Sequence, residues 1–212
     1  IDTIDDIYSD KKIQRQIKRI IDVTCTVAGL MVIFPLLLLI AVLIKLDSPG
    51  PVLFKQKRVG QNGKEFYIYK FRTMHQDAEA RLQELLKYNE TNELMFKMTK
   101  DPRITSIGKF LRKYSLDEFP QLINVLKGEM SLVGFRPPIP REVAQYKRWH
   151  HLRFKGMPGL TGPWQVSGRS SIKNFDTVVE LEIDYNFNWS LLKDFAILFK
   201  TVPVVIFGKD AA

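Results

Sequence analysis

The sequence predicts a mixed α+β chain that is mostly helical, with a membrane helix, one β-hairpin and amphipathic helices around a small globular core. Three observations predict it. Residues 23–44 form an uncharged apolar run, stretches of alternating polarity flank Asn62-Gly63, and apolar residues recur at helical spacing in several later segments.

The chain has 212 residues, enough for one domain with a buried core. Its formal net charge of +9 favours anionic partners: phosphate groups, nucleic acid or acidic lipid. The single cysteine, Cys25, excludes an internal disulfide. The chain starts at Ile1 and opens polar, so residues 1–19 are expected to be a basic lead-in cut from a longer chain. No signal peptide is visible at residue 1, because the first long apolar run begins after Arg19.

Residues 23–44 would rise about 33 Å as a helix, enough for a bilayer core of about 30 Å. Insertion into membrane lipids is therefore predicted. Lys11, Lys12, Arg15, Lys18 and Arg19 precede the run, and Lys45, Lys55, Lys57 and Arg58 follow it. Cations favour the cytoplasmic side, so both flanks claim the same side. Pro35, near the centre, removes a backbone donor and crowds the preceding turn. Two placements are open: a kinked helix that spans, or a re-entrant one that enters and leaves by one face.

Asp47-Ser48-Pro49-Gly50-Pro51 reads as a turn cluster. The alternating stretches around Asn62-Gly63 then predict a hairpin, with Lys55, Lys57, Lys64 and Lys70 near one another or near the bilayer. Residues 75–98 read as a helix on Ala78, Leu82, Leu85 and Leu86, extended by Met95, Phe96 and Met98. A second helix is predicted over 104–114, with Arg112 turned away from its apolar side. Residues 156–169 are rich in Gly and Pro and read as a loop, and 172–185 as a helix. Residues 191–207 read either as an amphipathic helix in the membrane interface or as a core helix.

Asp117 and Glu118 stand together before Phe119-Pro120, with Arg112 and Arg136 on either side. Ser115-Leu116-Asp117-Glu118 matches a capping box, but Pro120 then falls where its missing N–H breaks a helical bond. A cap at Asp117 moves Pro120 into the first turn. Either frame leaves both acids at the positive end of a helix, which predicts a lowered carboxylate pKa. Two accounts stand on the residues alone: surface acids that cap a helix, or carboxylates poised to attack phosphorus or hold Mg²⁺.

The ordered set KRIIDV, GPVLFKQKRVG, YKFRTM, RKYSLDEFPQLINVLKGEMSLVGFRP, PGLTGPWQVSGR and NWSLLKDFAILFKT resembles the bacterial sugar transferase family, the monotopic phosphoglycosyl transferases, over about residues 13–205. The resemblance implies an enzyme at the cytoplasmic membrane face. It would move a sugar-1-phosphate from a UDP-sugar to undecaprenyl phosphate and release UMP, in exopolysaccharide or capsule assembly. It implies Mg²⁺, with Asp117 as nucleophile and metal contact, through a covalent phosphosugar. Glu118 would be its partner, either as acid/base or in placing the metal. By motif, Lys70, Arg112 and Arg136 would be active-site cations. Gln165, Ser167 or Arg169 would contact nucleotide or phosphate, the alternative being a structural loop that packs Trp164. Residues 20–46 would form a re-entrant helix-break-helix at Pro35, and 47–212 a catalytic domain continuous with it. In many relatives the break resembles Ser-Pro, whereas here it is Phe34-Pro35, so Thr24 or Thr26 would have to serve a freed carbonyl.

Rival classes are a membrane scaffold that binds anionic lipid and a nucleic-acid module. For the latter the charge fits, but no recognised motif is present and the apolar run argues against it. No DxD string marks a conventional metal-dependent glycosyltransferase. The sugar is not legible, and a homo-oligomer remains open.

Overall fold

The computed structural model describes residues 11–88, 98, 101–168, 172 and 174–207. The expectations that rest on residues 1–10, on Met95 and Phe96, and on Arg169 lie outside them.

Helix α1 (Lys12–Asp47) runs as one element with Pro35 inside it. Its Leu-rich middle is exposed: Met31 is 70% accessible, Phe34 56% and Leu39 55%. Both ends are fixed to the rest of the chain. At the first end, Lys18 pairs with Asp194 at 2.6 Å, and Arg19 donates to the carbonyls of Val125 and Leu126. At the second, Ile40 and Ile44 pack with Phe71 and Leu111 into a buried cluster. Arg72 donates to the carbonyls of Ser48 and Pro49 just past the last turn, and Asp47 accepts from the Ile107 N–H. A cation at a helix C-terminus meets the unsatisfied carbonyls there. The Thr26 hydroxyl is buried without a partner, so it serves no carbonyl freed by Pro35.

Strands β1 (Leu53–Val59) and β2 (Glu65–Phe71) form the expected antiparallel hairpin. Asn62 (φ 55°) and Gly63 (φ 76°) take the left-handed conformation that suits these two residue types. The register pairs Phe54 with Lys70 and Lys55 with Tyr69. Side chains alternate between faces, so Lys70 lies opposite to Lys55 and Lys57, which corrects the expectation of one lysine cluster. Lys57 instead pairs with Glu65 at 2.9 Å. The free edge of β2 is closed by Asn124, whose side chain accepts from the Tyr69 N–H and donates to the Tyr67 carbonyl.

Helix α2 spans Ala78–Leu85, followed by a 3₁₀ turn over Leu86–Tyr88. Helix α3 (Ser106–Lys113) is capped by the Thr105 side chain, which accepts from Gly108 N–H. Arg112 is partly buried, and its Nε donates to Thr73 Oγ1 at 3.0 Å. The capping box that Ser115 to Glu118 matches in sequence does not form. Ser115 has φ 54° and makes no side-chain cap, and a 3₁₀ helix covers Leu116–Gln121 before α4 (Leu122–Lys127). Pro120 accounts for this: its ring clashes with the fourth preceding carbonyl in an α-helix, so the chain enters α4 through a tighter turn.

Residues 156–169 are not simply a loop. Strand β3 (Ser131–Val133) pairs in parallel with β4 (Gly159–Thr161), and α6 (Pro163–Val166) follows. The strands approach at glycine: a Cβ on Gly159 would sit 2.0 Å from the Gly134 nitrogen. Between them lie α5 (Pro140–Val143) and a 3₁₀ helix over Arg148–Lys155. Helices α7 (Phe175–Phe187) and α8 (Leu191–Phe207) close the chain, with Val133, Tyr185, Trp189 and Ile197 forming a second buried cluster. Helix α8 has two faces: Ile197 and Asp194 are buried, while Leu192 and Phe199 are 80% and 75% exposed.

Candidate active site

The even-numbered face of the hairpin carries Arg58, Ile68 and Lys70, and the 3₁₀ helix Leu116–Gln121 packs against β2. That packing brings Lys70 Nζ to 2.6 Å from Glu118 Oε1, across 48 positions of sequence. The segment after β3 adds Arg136, and α6 adds Gln165. Arg58, Lys70, Glu118, Gln121, Arg136 and Gln165 line one open cleft.

Asp117 precedes Glu118 in the chain, is 8% exposed, and is not itself among the side chains that line the cleft. Burial pushes its carboxyl up to about 6, with Glu118 adding to the rise and Lys70 and Arg112 opposing it. The lowered value expected from a helix N-terminus is thus overturned. A six-residue 3₁₀ turn has little dipole, and removing a carboxylate from water outweighs both cations. Asp117 remains largely ionised at neutral pH, but as a poorly solvated anion.

Of the residues singled out from sequence, Lys70, Glu118, Arg136 and Gln165 share the cleft. Arg112 is half-buried and feels the charge of Asp117 from the side. Pro35 lies on α1, away from this cleft's lining. Ser167 is exposed just after α6.

Arg58 and Gln121 escaped the sequence reading. Arg58 is buried, donates to the Pro137 carbonyl at 2.9 Å, and is lowered to about 10 by burial, with Arg136 repelling it. The signal for it was present: Arg58, Ile68 and Lys70 all fall on one face once the hairpin register is drawn. Arg136 lies with its guanidinium 5.3 Å from the Trp164 ring centroid, a cation–π contact. The Gln165 Oε1 is buried without a partner. Three cations, the Glu118 carboxylate and an unpartnered carbonyl in the cleft, with Asp117 buried next to Glu118, suit a phosphorylated polar ligand.

No group of three or more metal-ligating side chains occurs among the described residues. Mg²⁺ does not need one. It commonly takes one or two carboxylates together with substrate phosphates and water, and Asp117 with Glu118 fits that donor set.

Relatives of known description agree with this chemistry. The chain is 46% identical to the galactosyl transferase CpsE of Streptococcus agalactiae over 92% of this chain and 43% of that protein. It is 41% identical to the exopolysaccharide production protein ExoY of Sinorhizobium fredii, over 92% of this chain and 87% of that protein. It is 43% identical to the undecaprenyl-phosphate galactose phosphotransferase of Salmonella typhimurium, over 92% and 42%. The chain therefore spans a little under half of two of these relatives and most of the third. The bacterial sugar transferase family matches residues 13–208, nearly the whole length and every segment that builds the cleft, and the chain belongs to that family.

Proposed function

We propose that the chain transfers a sugar-1-phosphate from a UDP-sugar to undecaprenyl phosphate at the cytoplasmic membrane face, releasing UMP. The observation that carries this is a buried aspartate next in the chain to Glu118, which lines a cleft with three cations. An Asp117 oxygen attacks the phosphorus that bears the sugar. The bond from that phosphorus to the UMP oxygen breaks, and UMP departs with the electron pair. A phosphate oxygen of the polyprenyl acceptor then attacks the same phosphorus, and Asp117 leaves as carboxylate. Poor solvation raises the basicity of Asp117 and favours attack over hydration. Arg58, Lys70 and Arg136 offset charge on the diphosphate, and Glu118, tied to Lys70, holds that ammonium in place. Mg²⁺, held by Asp117 and Glu118 when bound, would supply Lewis-acid withdrawal of charge from the diphosphate. Gln165 faces the cleft with a free acceptor that suits a hydroxyl or N–H of the nucleotide sugar.

Both ends of α1 are bound to one globular body, while residues 31–39 between them are largely exposed. Two ends held on one body support a helix that dips into the bilayer and emerges on the same face, with Pro35 as the proposed bend, although α1 runs through Pro35 as one helix. Exposed Leu192 and Phe199 on α8 would lie in the interface.

Incubation with labelled UDP-sugar alone tests the chemistry. Label should remain on the protein with release of UMP, and Asp117→Asn should abolish both. If UMP appears only when undecaprenyl phosphate is also present, direct transfer replaces the covalent route.

A further inference from the structure

The grip on Arg136 is not explained by the cleft. Its backbone N–H donates to Glu182 Oε1 at 2.9 Å, and its carbonyl accepts from Arg153 Nη2 at 3.0 Å. Glu182 and Arg153 are also paired with each other, at 0% and 2% exposure. Glu182 comes from α7 and Arg153 from the 3₁₀ helix Arg148–Lys155. Arg153 is held in turn: Nη1 donates to the Tyr146 hydroxyl at 2.8 Å, its carbonyl accepts from Asn186, and its guanidinium lies over the Phe135 ring.

A buried ion pair is a poor device for stability alone, because desolvation cancels much of the attraction. Two neutral groups would satisfy one peptide N–H and one carbonyl equally well. Yet both charges close on the two backbone groups of a single residue, the one whose side chain enters the cleft. The next two residues are also pinned. Pro137 and Pro138 have fixed φ, and their carbonyls accept from Arg58 and from the Val59 N–H at 2.9 Å each. The backbone of Arg136 is thus clamped from both sides, while its side chain reaches out over Trp164.

We propose that Glu182 and Arg153 are positioning residues that set the reach of Arg136 toward the diphosphate of the donor. This rests on the function proposed above. The pair touches no substrate and acts through one guanidinium. A displacement of about 1 Å in such a group can cost up to about a hundredfold in rate.

The test is a double-mutant cycle on UMP release in the intact chain. Glu182→Gln with Arg153→Met removes the ion pair, which the fold does not need, and also removes the donor to the Arg136 carbonyl. This variant should still fold, melting within about 10 °C of wild type, and lose kcat/KM by tenfold or more. In an Arg136→Met background the same replacement should cost no more than about twofold, because the group it positions is gone. Equal losses in both backgrounds, or no loss in either, overturn the proposal. Should the neutral variant not fold, Arg153→Lys keeps the charge but not the fork, and the same non-additivity is expected. UDP affinity, measured by calorimetry on the same variants, separates the two readings. If wild type binds UDP but releases no UMP, the proposed reaction fails while the cycle on binding still decides the role of the pair.

Discussion

Replacing Asp117 with Asn should stabilise the chain at neutral pH while removing its chemistry. Asp117 is 8% exposed, and burial raises its carboxyl from 3.8 to about 6 despite Lys70 and Arg112. At about 1.4 kcal/mol per pH unit, that rise corresponds to roughly 3 kcal/mol against the ionised folded state. The folded-state value lies above the unfolded one, so the folded chain binds the proton more tightly. The penalty is therefore fully present above pH 6 and fades as pH falls toward 3.8. That figure already sets the attraction of Lys70 and Arg112 against desolvation, so neutral Asn should gain up to about 3 kcal/mol at pH 7.5. For a chain of this size that is up to roughly 10 °C in melting temperature. The assay is thermal unfolding of both proteins in the same detergent at pH 7.5 and pH 4.5. A gain that falls by about two thirds between pH 7.5 and pH 4.5 is expected. A variant less stable than wild type at pH 7.5, or a gain that ignores pH, would refute the claim that burial dominates this carboxylate. UMP release by wild type should rise with pH through about 6, because the attacking form is the anion.

Lys70→Met removes the largest influence holding Asp117 down and leaves Glu118 without its 2.6 Å partner. The acid limb of the rate profile should then move above pH 6, and an unmoved limb would separate Lys70 from Asp117. Asn124→Ala deletes hydrogen bonds to Tyr69, Tyr67 and Glu129 at a fully buried position. A loss of about 2–4 kcal/mol in urea unfolding is expected. Gly108→Ala would place a Cβ 2.1 Å from the Thr73 carbonyl oxygen. Helix α3 must then shift from Thr73, which also holds Arg112 through its hydroxyl. UMP release should fall by tenfold or more, while the far-UV spectrum keeps its helical form; wild-type rates would show that Arg112 needs no such anchorage.

What could be read from the sequence followed the range of each signal. The uncharged run of residues 23–44 and the Asn62-Gly63 turn are local, and α1 and the hairpin stand where those residues put them. The acid pair was equally visible, since two adjacent carboxylates before a proline need no fold to be noticed. Its electrostatics were not. A helix-terminus argument uses only neighbours in sequence, whereas the charge state of Asp117 is set by packing of the 3₁₀ turn on β2 and by a lysine 47 positions earlier. Ser115 misled for a related reason: its type suits a cap, but the turn from α3 into the 3₁₀ helix demands a left-handed residue there. Arg58 stayed hidden until strand register showed which hairpin residues share a face with Lys70. Glu182 was harder still. In sequence it is one acid on an amphipathic helix, indistinguishable from a solvated one, and only its place behind Arg136, 46 residues away, gives it meaning. The chemistry-bearing side chains are therefore written in short motifs, while the groups that tune and aim them are supplied by contacts that no motif contains.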